Sequence, residues 1–228
     1  MSRPFPTIAL LSMITATAVV QPRQITAATF TGGTLDLQAE ANGLVDTRST
    51  PIVASPTSQF EQAIASDGDA AALAVGRVDV SQNGPLTIDV VSGLSGFFTL
   101  SSLAVPAQSS AGATFDVSIA ETTLLQYDVL ADGNSVAYQP FTQAQNLDDF
   151  TIIANDQFLP GSTHQIGAGN WRFTTTAAGM TSRTVLPEVD LYDFGGTTSF
   201  SFTAVPEPTA PLVMVVIGAA FICRRKRR

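Results

Sequence analysis

Carboxylates are the most plentiful reactive side chains in this 228-residue sequence, and two groupings of them resemble sets of hard oxygen ligands. Asp67-Gly68-Asp69 is one; Asp148-Asp149 with Asp156 is the other, and both lie in loop-forming sequence of the kind that holds calcium. Neither has the twelve-residue spacing or the closing glutamate of a helix-loop-helix calcium site, so solvated turns are the competing reading. Calcium is the one metal these residues suggest, and no other cofactor is indicated. A second chemistry is stacking of sugar rings on aromatic side chains, for which Trp171, Tyr127, Tyr138 and Tyr192 are available. Trp171 alternates with polar neighbours, which favours burial over display. Glycoside hydrolysis would need two carboxyl groups a few ångströms apart in a cleft, a geometry that the order of residues does not specify. His164 is the only histidine and Cys223 the only cysteine. An internal disulfide is therefore excluded, and so is a Cys/His zinc site in the middle of the chain, because Cys223 lies in the C-terminal apolar run. His164 reads as a surface-loop residue beside Pro160-Gly161, with no serine context for a catalytic triad. Walker, Rossmann and nucleophile-elbow motifs are absent from the sequence, which points to a protein that is not an enzyme.

Charge narrows the partners. Between residues 29 and 205 four arginines (Arg48, Arg77, Arg172 and Arg183) face 18 acidic side chains, a balance of −14. Affinity for nucleic acid comes largely from Lys and Arg displacing counterions, so a region this acidic repels phosphate backbones, and DNA and RNA are excluded as partners.

The elements that must position these residues read as short strands. Leu86, Ile88 and Val90 alternate with Thr87 and Asp89; Phe115, Val117 and Ile119 alternate with Asp116 and Ser118; Leu125, Tyr127 and Val129 alternate with Gln126 and Asp128. Trp171 and Phe173, then Phe200 and Phe202, repeat the period of two. Turn chemistry falls at Gly32-Gly33, Asn83-Gly84-Pro85, Asp132-Gly133-Asn134, Pro160-Gly161 and 167–170. Segments 59–66 and 143–149 are expected to add short helical turns. With no long helix to cover the apolar faces, two sheets must cover each other, and the expected fold is an all-β, jelly-roll-like β-sandwich. Residues 165–173 (Gln-Ile-Gly-Ala-Gly-Asn-Trp-Arg-Phe) resemble a late hairpin of exported bacterial sandwich domains, a likeness that speaks to fold and not to activity.

The two ends carry different signals. Met1-Ser2-Arg3, an apolar stretch over 8–20 and the small-residue run ending in Ala27 and Ala28 follow the three-part plan of a secretory signal, with cleavage expected after Ala28 or Ala27 and export through the Sec machinery. The competing reading is a buried first helix. At the other end come Pro206, Glu207 and Pro208, then 210–223 without a charge, then Arg224, Arg225, Lys226, Arg227 and Arg228. Fourteen apolar residues span about 21 Å as a helix, short of a hydrocarbon core roughly 30 Å thick, so the run is a short transmembrane helix whose flanking arginines snorkel. The basic cluster holds the end of the chain on the cytoplasmic side and leaves the middle region outside.

Proline-glutamate-proline, apolar helix and arginine-rich end, in that order and over about a tenth of the chain, resemble the PEP-CTERM sorting signal of bacteria that make extracellular polysaccharide. The resemblance implies an exosortase partner that recognises Pro206, Glu207 and Pro208 and removes or exchanges the tail. An ordinary single-span anchor explains the hydropathy but not the prolines. The organisation expected is thus a signal peptide over 1–28, an exported acidic sandwich over 29–204 and a sorting signal over 205–228. The function implied is that of a non-enzymatic protein of the cell surface or extracellular matrix, associated with exopolysaccharide or biofilm. The alternative is a carbohydrate-binding module or hydrolase delivered by the same signal.

Overall fold

The computed structural model describes residues 27–53, 57–99, 107–132, 138–181 and 189–205. Its strands are β1 (Ala28–Ala41), β2 (Leu44–Ile52), β3 (Thr57–Ser66), β4 (Ala70–Ser81), β5 (Leu86–Thr99), β6 (Gln108–Ile119), β7 (Thr123–Ala131), β8 (Phe141–Asn146), β9 (Ile152–Ile153), β10 (Thr163–Ile166), β11 (Gly169–Met180) and β12 (Val189–Ala204). They form two antiparallel sheets in the orders β2-β1-β6-β11-β8-β9 and β10-β7-β12-β5-β4-β3. β1 packs across the gap on β3 and β4, and β5 packs on β6 and β11, so the sheets lie face to face as a β-sandwich. The first half of the chain builds within sheets, by the hairpin β1–β2 and the meander β3–β4–β5. From β5 onward the chain changes sheet at every connection except β8–β9.

Local chemistry sets several of these boundaries. Asn42 (φ 48°) and Gly43 (φ 81°) form a two-residue turn between the paired residues Ala41 and Leu44, the left-handed geometry that Asn-Gly adopts most readily and that matches the twist of a hairpin. Asn83-Gly84-Pro85 and Pro160-Gly161 are turns, as expected. Gly32-Gly33 is not a turn. It lies inside β1, where the pairing with β6 shifts by a residue between Phe30 and Gly32, and a Cβ on Gly33 would meet the Thr114 carbonyl oxygen.

Two further expectations are corrected. Segments 59–66 and 143–149 are not helical turns: the first lies within β3, and the second is the end of β8 followed by a turn. Their Ala, Gln and Glu content favours helix locally, but pairing with β4 and β11 satisfies the backbone and buries Ala63, Ala65 and Ala144, and that wins. The segment 165–173 is not a hairpin either. β10 pairs with β7 in one sheet and β11 with β6 in the other, so the small-residue stretch over 167–169 carries the chain across the sandwich.

The core grades along the strand axis. At one end Phe115, Phe173 and Phe200 meet with centroids 5.1–5.7 Å apart, joined by Phe202, Tyr127 and Trp171. At the other, Ala39, Ala41, Ala70, Ala72, Ala74 and Ala111 are fully buried, and Gly76 sits beneath Leu35 and Leu37. Between the two ends a hydroxyl chain crosses the gap: Tyr127 Oη of one sheet meets Thr142 Oγ1 of the other, which meets Thr175 Oγ1 in its own sheet, both at 3.1 Å and buried.

Candidate functional site

The residues singled out for chemistry are dispersed, and most are engaged. Asp67 and Asp69 lie at the β3–β4 turn. There the Asp67 carboxylate accepts from Asn42 Nδ2 and from the Asp69 amide, and the Asn42 contact holds its pKa below the usual carboxylate range. Asp148 and Asp149 lie at the β8–β9 turn, at the opposite edge of the sandwich. Asp148 accepts from the Asn170 amide at 2.8 Å, and Asp149 accepts from the Thr151 amide at 2.9 Å, a bond that lowers the Asp149 pKa. Asp156 is exposed in the short 3-10 turn Asn155–Gln157. Among the described residues no three His, Cys, Asp or Glu side chains come close enough together to hold a metal ion.

Three of the four candidate stacking rings belong to the core. Trp171, Tyr127 and Tyr138 are 4%, 1% and 5% exposed, and Trp171 Nε1 donates to the Gly167 carbonyl at 3.0 Å. Tyr192 is half-buried with its hydroxyl 2.7 Å from Ser109 Oγ. His164 is not a loop residue: it stands on the edge strand β10, its ring against Phe158 and its Nε2 3.1 Å from Ser162 Oγ. Ala27 and Ala28 are buried, with the Ala27 carbonyl accepting from the Ala120 amide and Ala28 opening β1 opposite Ile119. The N-terminal apolar stretch, Pro206, Glu207, Pro208, Cys223 and the basic residues 224–228 lie outside the described residues.

What the fold does assemble is a groove of about 350 Å³ on the outer face of the β2-β1-β6-β11 side. Strand register builds it. Ser49, Asp36, Gly112 and Thr176 form one row across four strands; Thr47, Gln38 and Ser110 form the next; Thr34, Thr114 and Thr174 flank the other side. Gly112 is the floor. A Cβ there would fall 2.6 Å from Thr176 Oγ1 and 2.9 Å from the Thr175 carbonyl, so only glycine leaves the depression open. The Asp36 carboxylate is held in place, accepting from Ser49 Oγ at 2.6 Å and Thr34 Oγ1 at 3.0 Å. Beyond one end, Arg172 makes a two-bond pair with Asp116, 2.8 Å on each arm, which raises the arginine pKa.

This lining offers hydroxyls, a carboxamide, the Arg48 guanidinium and a fixed carboxylate, all of which hydrogen-bond. It contains no histidine or cysteine. Such a set matches the hydroxyls of a polar ligand.

Comparisons of the chain with protein-family models, with curated proteins and with solved structures give no match. None of the groove residues was singled out in the sequence. Their signal was there in part, as polar residues at alternate positions of 34–38, 110–118 and 172–176, but the register that brings Asp36, Gly112 and Thr176 into one row joins segments some 60 to 80 residues apart.

Proposed function

We propose that this is an exported, exosortase-processed protein of the cell surface or extracellular matrix, non-enzymatic and associated with extracellular polysaccharide. The observation that carries the reading is the composite ending: Pro206-Glu207-Pro208, an uncharged run over 210–223 and five consecutive basic residues at 224–228. Charge orients such an ending with the prolines on the outer side of the membrane, where prolines keep the backbone extended for a processing enzyme. The last strand of the sandwich ends at Ala204, and the Val205 amide bonds the Thr122 carbonyl, so the folded unit closes one residue before the motif. That arrangement suits a cut that releases the sandwich whole. The mass of the mature protein isolated from its cells tests the reading: loss of the segment after the Pro-Glu-Pro motif is expected, and a mature mass that still includes residues 224–228 overturns it.

The second reading, a carbohydrate-binding module, is favoured by the groove over Gly112, whose hydroxyl-rich lining suits a polysaccharide chain. A glycan array separates the two. Binding that is lost in Gly112→Val, where the added side chain fills the floor, supports the second; no binding across a broad panel leaves the first alone.

A further inference from the structure

We infer that the outer face of β3, β4, β5 and β12 is a self-association surface, occupied by the same face of a second copy of this chain. Cross-strand register places Ile64 beside Leu73, Phe97 beside Leu191 and Val75 beside Gly93 on this face, and Phe60 extends the patch along β3. Phe60, Ile64 and Leu191 are 57%, 54% and 67% exposed, and Phe97 39%. The opposite sheet shows the contrast, since its outer face carries Asp36, Gln38, Ser110 and Thr114 at equivalent positions.

The sequence of β4 states the same thing independently. Residues 70–76 (Ala-Ala-Ala-Leu-Ala-Val-Gly) contain no polar side chain on either face, the composition of a strand covered on both sides. Leu35 and Leu37 cover the inner side at Gly76, and nothing among the described residues covers the outer one.

The β3 edge of the sheet is closed to extension. The Ile64 amide donates to Asp46 Oδ2 at 3.0 Å and the Gln62 amide to Glu61 Oε1 at 3.3 Å, so carboxylates occupy outward-pointing donors of β3 that an added strand would need. Association at this end of the sheet must therefore use the face. Its rim carries Asp79, Asp89 and Asp193, and Arg77 is paired with Asp79 at 2.8 Å, so an occupant must meet the apolar centre of the face, with any acidic rim of its own screened by salt. A second copy does so. At about 150–200 Å² per whole side chain, the four exposed residues offer about 400 Å² per copy. With Leu73, Val75 and the polar rim, an isologous pair reaches the ~1,200 Å² at which specific interfaces begin. Because both copies are acidic, screening by salt strengthens the pair.

This inference does not depend on the sorting signal or on the groove. It is tested by sedimentation velocity on the full chain in nonionic detergent, from about 1 to 100 μM. A reversible dimer is expected, tighter in 0.5 M than in 0.05 M NaCl, a range over which the Debye length falls about threefold, from ~14 to ~4 Å. Phe60→Glu with Leu191→Glu should weaken it at least tenfold, and so, less strongly, should the uncharged Ile64→Gln. Phe141→Glu with Phe150→Glu, which removes two equally exposed rings elsewhere, should leave it unchanged. Emission from buried Trp171 reports whether each variant is folded. A monomer at the highest concentration and salt overturns the inference, and so does a dimer that survives Ile64→Gln and the double glutamate variant alike. Binding to neutral phosphatidylcholine vesicles that the double variant abolishes, with the wild-type chain monomeric, also overturns it in favour of a lipid surface.

Discussion

The two ends of the sandwich core reach the same close packing by opposite means. Around Phe173 the sheets are filled by rings, and Phe173 itself meets four of them, stacked, tilted or edge-on. Around Gly76 they are filled by approach: alanines line β4 and the end of β1, and leucines from β1 rest where a glycine Cβ would be. At the same end Tyr192 and Phe194 reach over Gly179, so these two rings occupy the space a side chain there would need. A ring-filled region gains most from area buried and is damaged by deletion. A region filled by approach gains most from complementarity and is damaged by addition.

Deletion at the aromatic end is the strongest way to separate the two. Phe173 is fully buried and contacts Phe115, Trp171, Phe200 and Phe202, none of which can collapse into its space without leaving its own. Phe173→Ala should cost about 3–5 kcal/mol in chemical denaturation. The converse change at the small-residue end is Gly76→Val. Its Cβ would stand 2.8 Å from both Leu35 Cδ1 and Leu37 Cδ2, and a loss of about 1–3 kcal/mol is expected although valine is the better strand former. A stabilising Gly76→Val would show that the small end is loosely packed, and the contrast would fail.

The aromatic end was the more legible of the two in the sequence, and the reason is periodic. Phe115 with Val117, Trp171 with Phe173 and Phe200 with Phe202 alternate with polar residues, and each pair points into the core as that pattern requires. The small-residue end lacks such a rhythm. Residues 59–66, rich in alanine and glutamine, read as a helical turn, because alanine carries no preference for a buried face and the partner that decides the matter, β4, contributes through backbone pairing. The Asn42-Gly43 turn is legible in its residue types, whereas Gly32-Gly33 reads as a turn because glycine pairs serve turns and bulges alike. The groove was the least accessible. Its hydroxyls are ordinary strand residues one at a time, and only the pairing of β1 with β6 and of β6 with β11 makes them neighbours.

Between the ends, the hydroxyl chain from Tyr127 through Thr142 to Thr175 marks where ring packing gives way to small side chains. Tyr127→Phe keeps the ring contacts with Phe158 and Phe200 and removes only the hydrogen bond, while Thr142 retains its bond to Thr175. A loss of about 1 kcal/mol is expected, well below that of Phe173→Ala. A loss as large as that of Phe173→Ala would mean that the hydroxyl chain, and not the rings, fixes the spacing of the sheets.

The smallest effect is a pH dependence that belongs to the small-residue end. Burial raises the pKa of Tyr192, against an opposing hydrogen bond with Ser109, and does the same to Tyr127, where Thr142 opposes it. A phenol whose folded pKa exceeds its unfolded value of about 10 holds its proton longer when folded. Its contribution is whole below that pH and is lost as pH rises through the folded pKa. Stability should thus decline above about pH 10, and Tyr192→Phe should make the decline shallower while leaving the neutral-pH transition nearly in place. Denaturant midpoints measured at pH 8 and at pH 10.5 would show it. An unchanged slope in Tyr192→Phe would locate the alkaline sensitivity at Tyr127, in the seam, and the small-residue end would then be held by steric fit alone.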